Sequence, residues 1–180
     1  MSILERLGFG VDRDSTGSEP DTVRKIVDQL DQLPREQARY IATFAFILSR
    51  VANADMNVTD EETRSMERIV VEQGGLPEAQ AIIVVQMAKT QSLLFGGTDN
   101  YSVTREFGER ATREQKLALL RCLFAVSAAD DSISTVESNV IRQITDELGL
   151  DRSDFIALRS EFRDRLAVLK PRPRPDDEEA

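Results

Sequence analysis

Histidine is absent from this 180-residue chain. That absence removes His-dependent catalytic triads, His-ligated metals and a histidine general base together. Cysteine occurs once, at Cys122, so neither a disulfide framework nor a multi-thiolate zinc site is available. The single thiol lies among Leu120, Leu123 and Phe124 and reads as a small buried hydrophobe. Long apolar runs are also missing. The most apolar stretch, residues 40–48, is far shorter than the roughly 20 residues that span a bilayer, and Glu5 and Arg6 split the apolar opening that a secretory leader would need. Basic residues are outnumbered, 23 Lys and Arg against 32 Asp and Glu, for a net charge of −9. Nucleic-acid binding needs the opposite field. These absences leave a cytoplasmic protein as the expectation, with any acid–base or metal chemistry carried by carboxylates, hydroxyls, lysine or the lone cysteine.

What is present is helical periodicity. Pro20 and Asp21 suit a helix start, and Val23, Ile26, Val27 and Leu30 follow at i, i+3, i+4, i+7. After Pro34 a second helix opens at Arg35-Glu36-Gln37, and over residues 40–52 it is apolar on nearly every side, as befits the middle of a bundle. A third helix over about residues 60–73 points Met66, Ile69 and Val70 inward and stops at Gly74-Gly75. A fourth carries Ile82, Val85 and Ala88 and closes near Phe95 at Gly96-Gly97. Residues 99–108 predict a short bridging helix packed through Tyr101, Val103 and Phe107.

The pattern then recurs. Arg113-Glu114-Gln115 echoes the earlier opening, residues 117–129 are again apolar nearly all round, and Val140, Ile141, Ile144 and Leu148 line an amphipathic helix ended by Gly149. A last helix carries Phe155, Leu158, Phe162, Leu166 and Leu169. No segment alternates with period two long enough for a strand. The predicted class is all-α, a single-domain bundle of about eight helices built from two pseudo-twofold-related repeats, over about 35–95 and about 112–169. The domain spans residues 20–170. Residues 1–19 are expected to form a flexible N-terminal segment: residues 10–20 read as a polar linker, and Ile3, Leu4, Leu7 and Phe9 before it suit either a frayed terminus or peripheral contact of residues 1–9 with a partner or a membrane surface. The Pro-rich acidic tail, 171–180, cannot bury surface and is expected to be disordered.

The stretch that occurs twice within these repeats is Ala54-Asp55-Met56-Asn57-Val58-Thr59-Asp60-Glu61-Glu62, matched 75 residues later by Ala129-Asp130-Asp131-Ser132-Ile133-Ser134-Thr135-Val136-Glu137. Thr59 with Glu62, and Ser134 with Glu137, have the spacing of a capping box, with Val58 and Ile133 placed as hydrophobic staples. Asp55 and Asp130 are harder to explain. Each follows a long apolar helix, where the dipole disfavours a carboxylate, so each needs compensation from turn N–H groups or from a bound cation. The spacing is not that of an EF-hand, whose loop runs to about twelve residues with Gly at the sixth. A cation site would be all-oxygen, for Ca²⁺ or Mg²⁺, combining Asp55, Glu62, Asp130, Asp131 and Glu137 across the two turns.

These residues resemble the doubled A-D-G-x-[IV]-[ST]-x-x-E signature of the tellurite-resistance TerB-like family, with the glycine replaced by Met56 in one copy and Asp131 in the other. The likeness runs over about residues 22–168. It implies an all-helical bundle, a link to tellurite and stress resistance in bacteria, and metal chelation by the acidic positions. Met at the glycine position fits a positive φ poorly, which puts the second turn ahead of the first as a cation site. The resulting expectation is a non-enzymatic protein acting through protein contacts and divalent-cation binding. A carboxylate-based metal-dependent enzyme is the alternative, although the signature acids lie at turns and caps rather than in DDxxD-type clusters. A third reading is a structural oligomerisation module using the Leu93-Leu94-Phe95 edge or the N-terminal turn.

Overall fold

The computed structural model describes residues 21–52, 59–90, 99–129 and 132–166. Eight α-helices lie among them: α1 (Asp21–Asp31), α2 (Arg35–Ser49), α3 (Asp60–Glu72), α4 (Glu78–Lys89), α5 (Asn100–Arg110), α6 (Arg113–Ala128), α7 (Thr135–Glu147) and α8 (Arg152–Glu161). The all-α class expected from periodicity is the class observed, and no strand is formed among the described residues beyond one isolated bridge. The N-terminal apolar residues, the Leu93-Leu94-Phe95 edge, Gly96-Gly97, Val58, Leu169 and the acidic tail fall outside the described residues.

Helix α2 is the element most completely enclosed. Every residue from Ile41 to Ser49 is buried, because α1, α4, α5 and α6 all pack against it. Its apolar sequence has no face to offer water, so burial on all sides is the arrangement that removes the most apolar surface from solvent. Gly74 lies against this helix. A Cβ there would stand 3.0 Å from the Phe44 ring and 2.5 Å from the Val70 carbonyl oxygen. Gly75, beside it, has φ +71°, the left-handed residue that ends α3. Helix α6 buries Leu119, Leu120, Cys122, Leu123 and Phe124 but keeps Arg121 partly exposed, paired with Glu161 at 3.2 Å. One aromatic cluster sits on each: Tyr40, Phe44 and Phe107 on the α2 side, and Phe124, Phe155 and Phe162 on the α6 side.

Three expectations need correction. Ile82 and Tyr101 do not point inward but are 39% and 53% exposed. Helix α4 buries Ala81, Val84, Val85 and Ala88 instead, and α5 is held by Val103 and Phe107. Helix α4 also stops at Lys89, well short of Phe95, where the Thr90 hydroxyl turns back to donate to the Gln86 carbonyl at 2.8 Å. Lastly, the final helix does not run on to Leu169. It ends at Glu161, a 3₁₀ turn follows over Arg163–Arg165, and Leu166 lies extended beside Ile133. The Ile133 N–H donates to the Arg165 carbonyl at 2.7 Å. Sequence spacing could not separate a helix from an extended run with the same apolar rhythm.

Helix α5 joins the two sets of helices by packing on both α2 and α7. Gly108 lets its backbone approach α7, since a Cβ there would lie 2.9 Å from the Leu148 carbonyl oxygen. At the same junction Arg50, the residue that closes α2, donates to both carboxylate oxygens of Glu147 at the end of α7, at 2.5 and 3.3 Å. It also donates to the Thr104 hydroxyl on α5 at 2.7 Å. Gln143 supports the same carboxylate from the preceding turn at 2.8 Å. The two charged side chains are only 8% and 5% exposed.

Removing one partner of such a pair strands the other charge in the interior. Glu147→Ala is therefore expected to cost about 3–5 kcal/mol in urea unfolding. The double variant Arg50→Met, Glu147→Met should recover most of that loss. A double variant as unstable as the single one would show that the pair is not what holds α2 to α7.

Candidate functional site

Both signature turns form the capping boxes their spacing predicts. At the start of α3 the Thr59 N–H donates to Glu62 Oε2 at 2.7 Å, and the Glu62 N–H donates to the Thr59 hydroxyl at 3.2 Å. At the start of α7 the Ser134 N–H donates to Glu137 Oε2 at 2.8 Å, and the Glu137 N–H donates to Ser134 Oγ at 3.1 Å. The Thr59 N–H and hydroxyl together hold the exposed Glu62 carboxyl below its ordinary range. Each box engages Oε2, and among the described residues no hydrogen bond engages Oε1 of either glutamate.

Asp55, Asp130 and Asp131 lie outside the described residues. Of the five proposed ligands only Glu62 and Glu137 are placed, and no group of three or more acidic or thiol side chains poised for a metal occurs among the described residues. The electrostatic argument for Asp55 also changes. Helix α2 ends at Ser49, a turn earlier relative to the signature than α6, which runs to Ala128 and is capped by Ala129. The charge that terminates α2 is thus Arg50, favourably placed at the negative end of the dipole. Asp130 is next in sequence after Ala129, the cap of α6, and lies outside the described residues.

Sequence reading missed two features. One is the Arg50–Glu147 pair, whose only signal was an arginine at the end of an otherwise apolar helix. The other is a cleft of about 680 Å³ where the Arg-Glu-Gln openings of α2 and α6 face each other. Tyr40 and Phe107 line it with ring centroids 5.3 Å apart. Burial pushes the Tyr40 hydroxyl up to about 12, with a further contribution from the Cys122 thiol. Burial alone pushes that thiol up to about 12 as well, so neither group is ionised near neutrality. Glu106 at the edge pairs with Arg39 at 3.5 Å and Arg110 at 3.4 Å, and Arg110 reaches Glu36 at 3.3 Å.

A family model described as "Tellurite resistance protein TerB" matches residues 40–160. The chain belongs to the TerB family. No curated protein and no solved structure matches it. The TerB match opens at Tyr40 in the cleft, includes both signature turns, and ends at Ser160 in α8. Helix α1 and the Arg35-Glu36-Gln37 opening precede it.

The TerB turns make two predictions. Ser134→Ala should lower stability by about 1 kcal/mol, while Glu137→Gln, which can still accept the Ser134 N–H, should change it little. Glu62 has a folded pKa below its reference value of 4.5. Its contribution to stability is therefore present above that value and lost as pH falls through the lower folded one. Melts recorded from pH 6 to pH 3 should show a shallower acid dependence for Thr59→Ala than for wild type.

Proposed function

We propose that this TerB-family chain is a non-enzymatic protein of tellurite and stress resistance, acting through protein contacts and through a divalent cation held by its acidic turns. The observation that carries the reading is the pair of signature glutamates. Each is fixed in orientation by a capping box through Oε2, and among the described residues no hydrogen bond takes the other oxygen, which would serve a ligand. Asp130 and Asp131 sit immediately before the second of these boxes in sequence, and Asp55 sits before the first.

The donor chemistry selects the ion class. The chain has no histidine, and Cys122 is fully buried with its thiol protonated. Carboxylate and carbonyl oxygens are the ligands of hard cations such as Ca²⁺ and Mg²⁺, whereas Zn²⁺ sites draw chiefly on imidazole and thiolate. When bound, the ion would neutralise carboxylates at the C-terminal end of α6, where the helix dipole otherwise opposes them. The protein's own part is to hold Glu137 through Ser134, and to anchor Ile133 through Arg165 and Leu166.

Titration of Ca²⁺, Mg²⁺ and Zn²⁺ into the full-length protein, read by calorimetry and thermal melt, tests this. Ca²⁺ or Mg²⁺ should raise the melting temperature of wild type. The increase should shrink in Glu137→Gln, whose cap and metal-free melt are preserved, and vanish in Asp130→Ala. If no cation moves the melt, or both variants respond as wild type does, the turns are caps and nothing more.

A further inference from the structure

The cleft between the helix openings is separate from the acidic turns, and the chain itself supplies a segment that fits it. The Tyr40 and Phe107 rings on its inner wall are inclined to each other by 31°. They form a notch rather than a flat floor, and Pro77 adds apolar surface to the lining. Tyr40 and Gln80 use backbone groups in hydrogen bonds, and among the described residues no hydrogen bond engages the Tyr40 hydroxyl or the Gln80 amide. The rim carries Glu36, Glu106 and Glu114 against Arg39 and Arg110. The two arginines are taken up by Glu106 and Glu36. Glu114 is exposed and forms no ion pair among the described residues. The rim therefore has one negative charge in excess.

The last described residue is Leu166, and Lys170-Pro171-Arg172-Pro173-Arg174-Pro175 comes soon after it in sequence. Alternating prolines favour the polyproline helix, which makes no internal hydrogen bonds and leaves its carbonyls for outside donors. Such segments dock in aromatic-lined grooves. A puckered pyrrolidine ring suits the notch, the free carbonyls suit the Tyr40 hydroxyl and the Gln80 amide, and an arginine suits Glu114. The reach agrees. Helix α8 runs beside α6 in the same direction, as the pairs Arg113–Asp154 and Arg121–Glu161 show, and the chain then continues to Leu166 beside Ile133. The length of α6 from Ala118 to Ala128 is about 15 Å, and about five residues at polyproline spacing cover it. Counted back along α6 from Leu166, that brings Pro171 level with Ala118 and the arginines level with Glu114.

We propose that residues 170–175 bind in the cleft of their own chain as a polyproline segment, with proline against Tyr40 and Phe107 and arginine against Glu114. The contact requires no metal, so it stands or falls independently of the acidic turns. A nitroxide attached through Asp177→Cys in the full-length protein tests it, because Cys122 is fully buried and escapes labelling. NMR signals of Tyr40, Gly75 and Glu114 should broaden more than those of Val136, which lies three residues from the Ile133 contact with Leu166. Arg172→Glu combined with Arg174→Glu should remove most of the broadening in the cleft, and Glu114→Arg added to that pair should restore part of it. The proposal is overturned if Val136 broadens and the cleft does not, or if the arginine variant broadens the cleft as wild type does. It is also overturned if, in a mixture, the label on one chain broadens the cleft of another, since the occupant would then be a second copy.

Discussion

A guanidinium and a carboxylate taken out of water lose hydration worth on the order of several kcal/mol each, and only close, well-aligned pairing compensates for that loss. Arg50 and Glu147 meet this condition at the point where α2, α5 and α7 converge. The fork of Arg50 reaches both Glu147 oxygens and the Thr104 hydroxyl, and Thr104 in turn donates to the Asn100 carbonyl at 2.9 Å. Apolar packing alone would allow α5 to slide along α2, because dispersion and burial are not directional. The ion pair has a single geometry that satisfies it. It therefore sets the register in which Phe107 reaches Tyr40 and Gly108 reaches Leu148, and through them the shape of the cleft.

The second signature turn depends on a different restraint. Its capping box orients Glu137, but a box alone does not determine where the incoming chain lies. That is done by Ile133, which is 1% exposed and bonded through its N–H to Arg165, with Leu166 alongside. The chain after α8 thus returns to support the turn that opens α7. Phe162, stacked on Phe124 at 5.6 Å, fixes the start of that return. The stretch that follows α8 and the turn that opens α7 are mechanically one unit.

The fold was largely legible in the sequence because its strongest signals are local. Proline and hydroxyl residues mark helix starts, glycines at 75 and 149 mark the ends, and apolar rows at 3- and 4-residue spacing give the buried faces. The capping boxes were legible for the same reason, each being settled within four residues. Features that depend on residues far apart were not. Arg50 and Glu147 are separated by 97 positions, and no spacing rule connects them. Ile82 and Tyr101 fit their helical stripes but stand at the edges of those stripes, where solvent rather than a neighbour is found. Leu166 fits the rhythm of α8, yet the helix has already ended, because its contact with Ile133 competes with helix continuation and wins.

The two copies of the internal pattern also separate what is structural from what is particular. Positions where they agree, such as Thr59 and Ser134, and Glu62 and Glu137, together with the left-handed glycines Gly75 and Gly149 that end α3 and α7, are met by helix-terminus chemistry that any such bundle needs. Positions where they disagree are placed differently. Arg50 has an alanine as its counterpart under either alignment, Ala125 by the shift of 75 that matches the signature turns or Ala128 by the shift of 78 that matches the helix openings. Tyr40 has Ala118 as its counterpart, and the cleft lies between them. Met56 faces Asp131 at the glycine position of the signature. Among the described residues, the shared positions therefore report what starts and ends a helix, and the contact that joins α2 to α7 rests on a residue the other copy does not repeat.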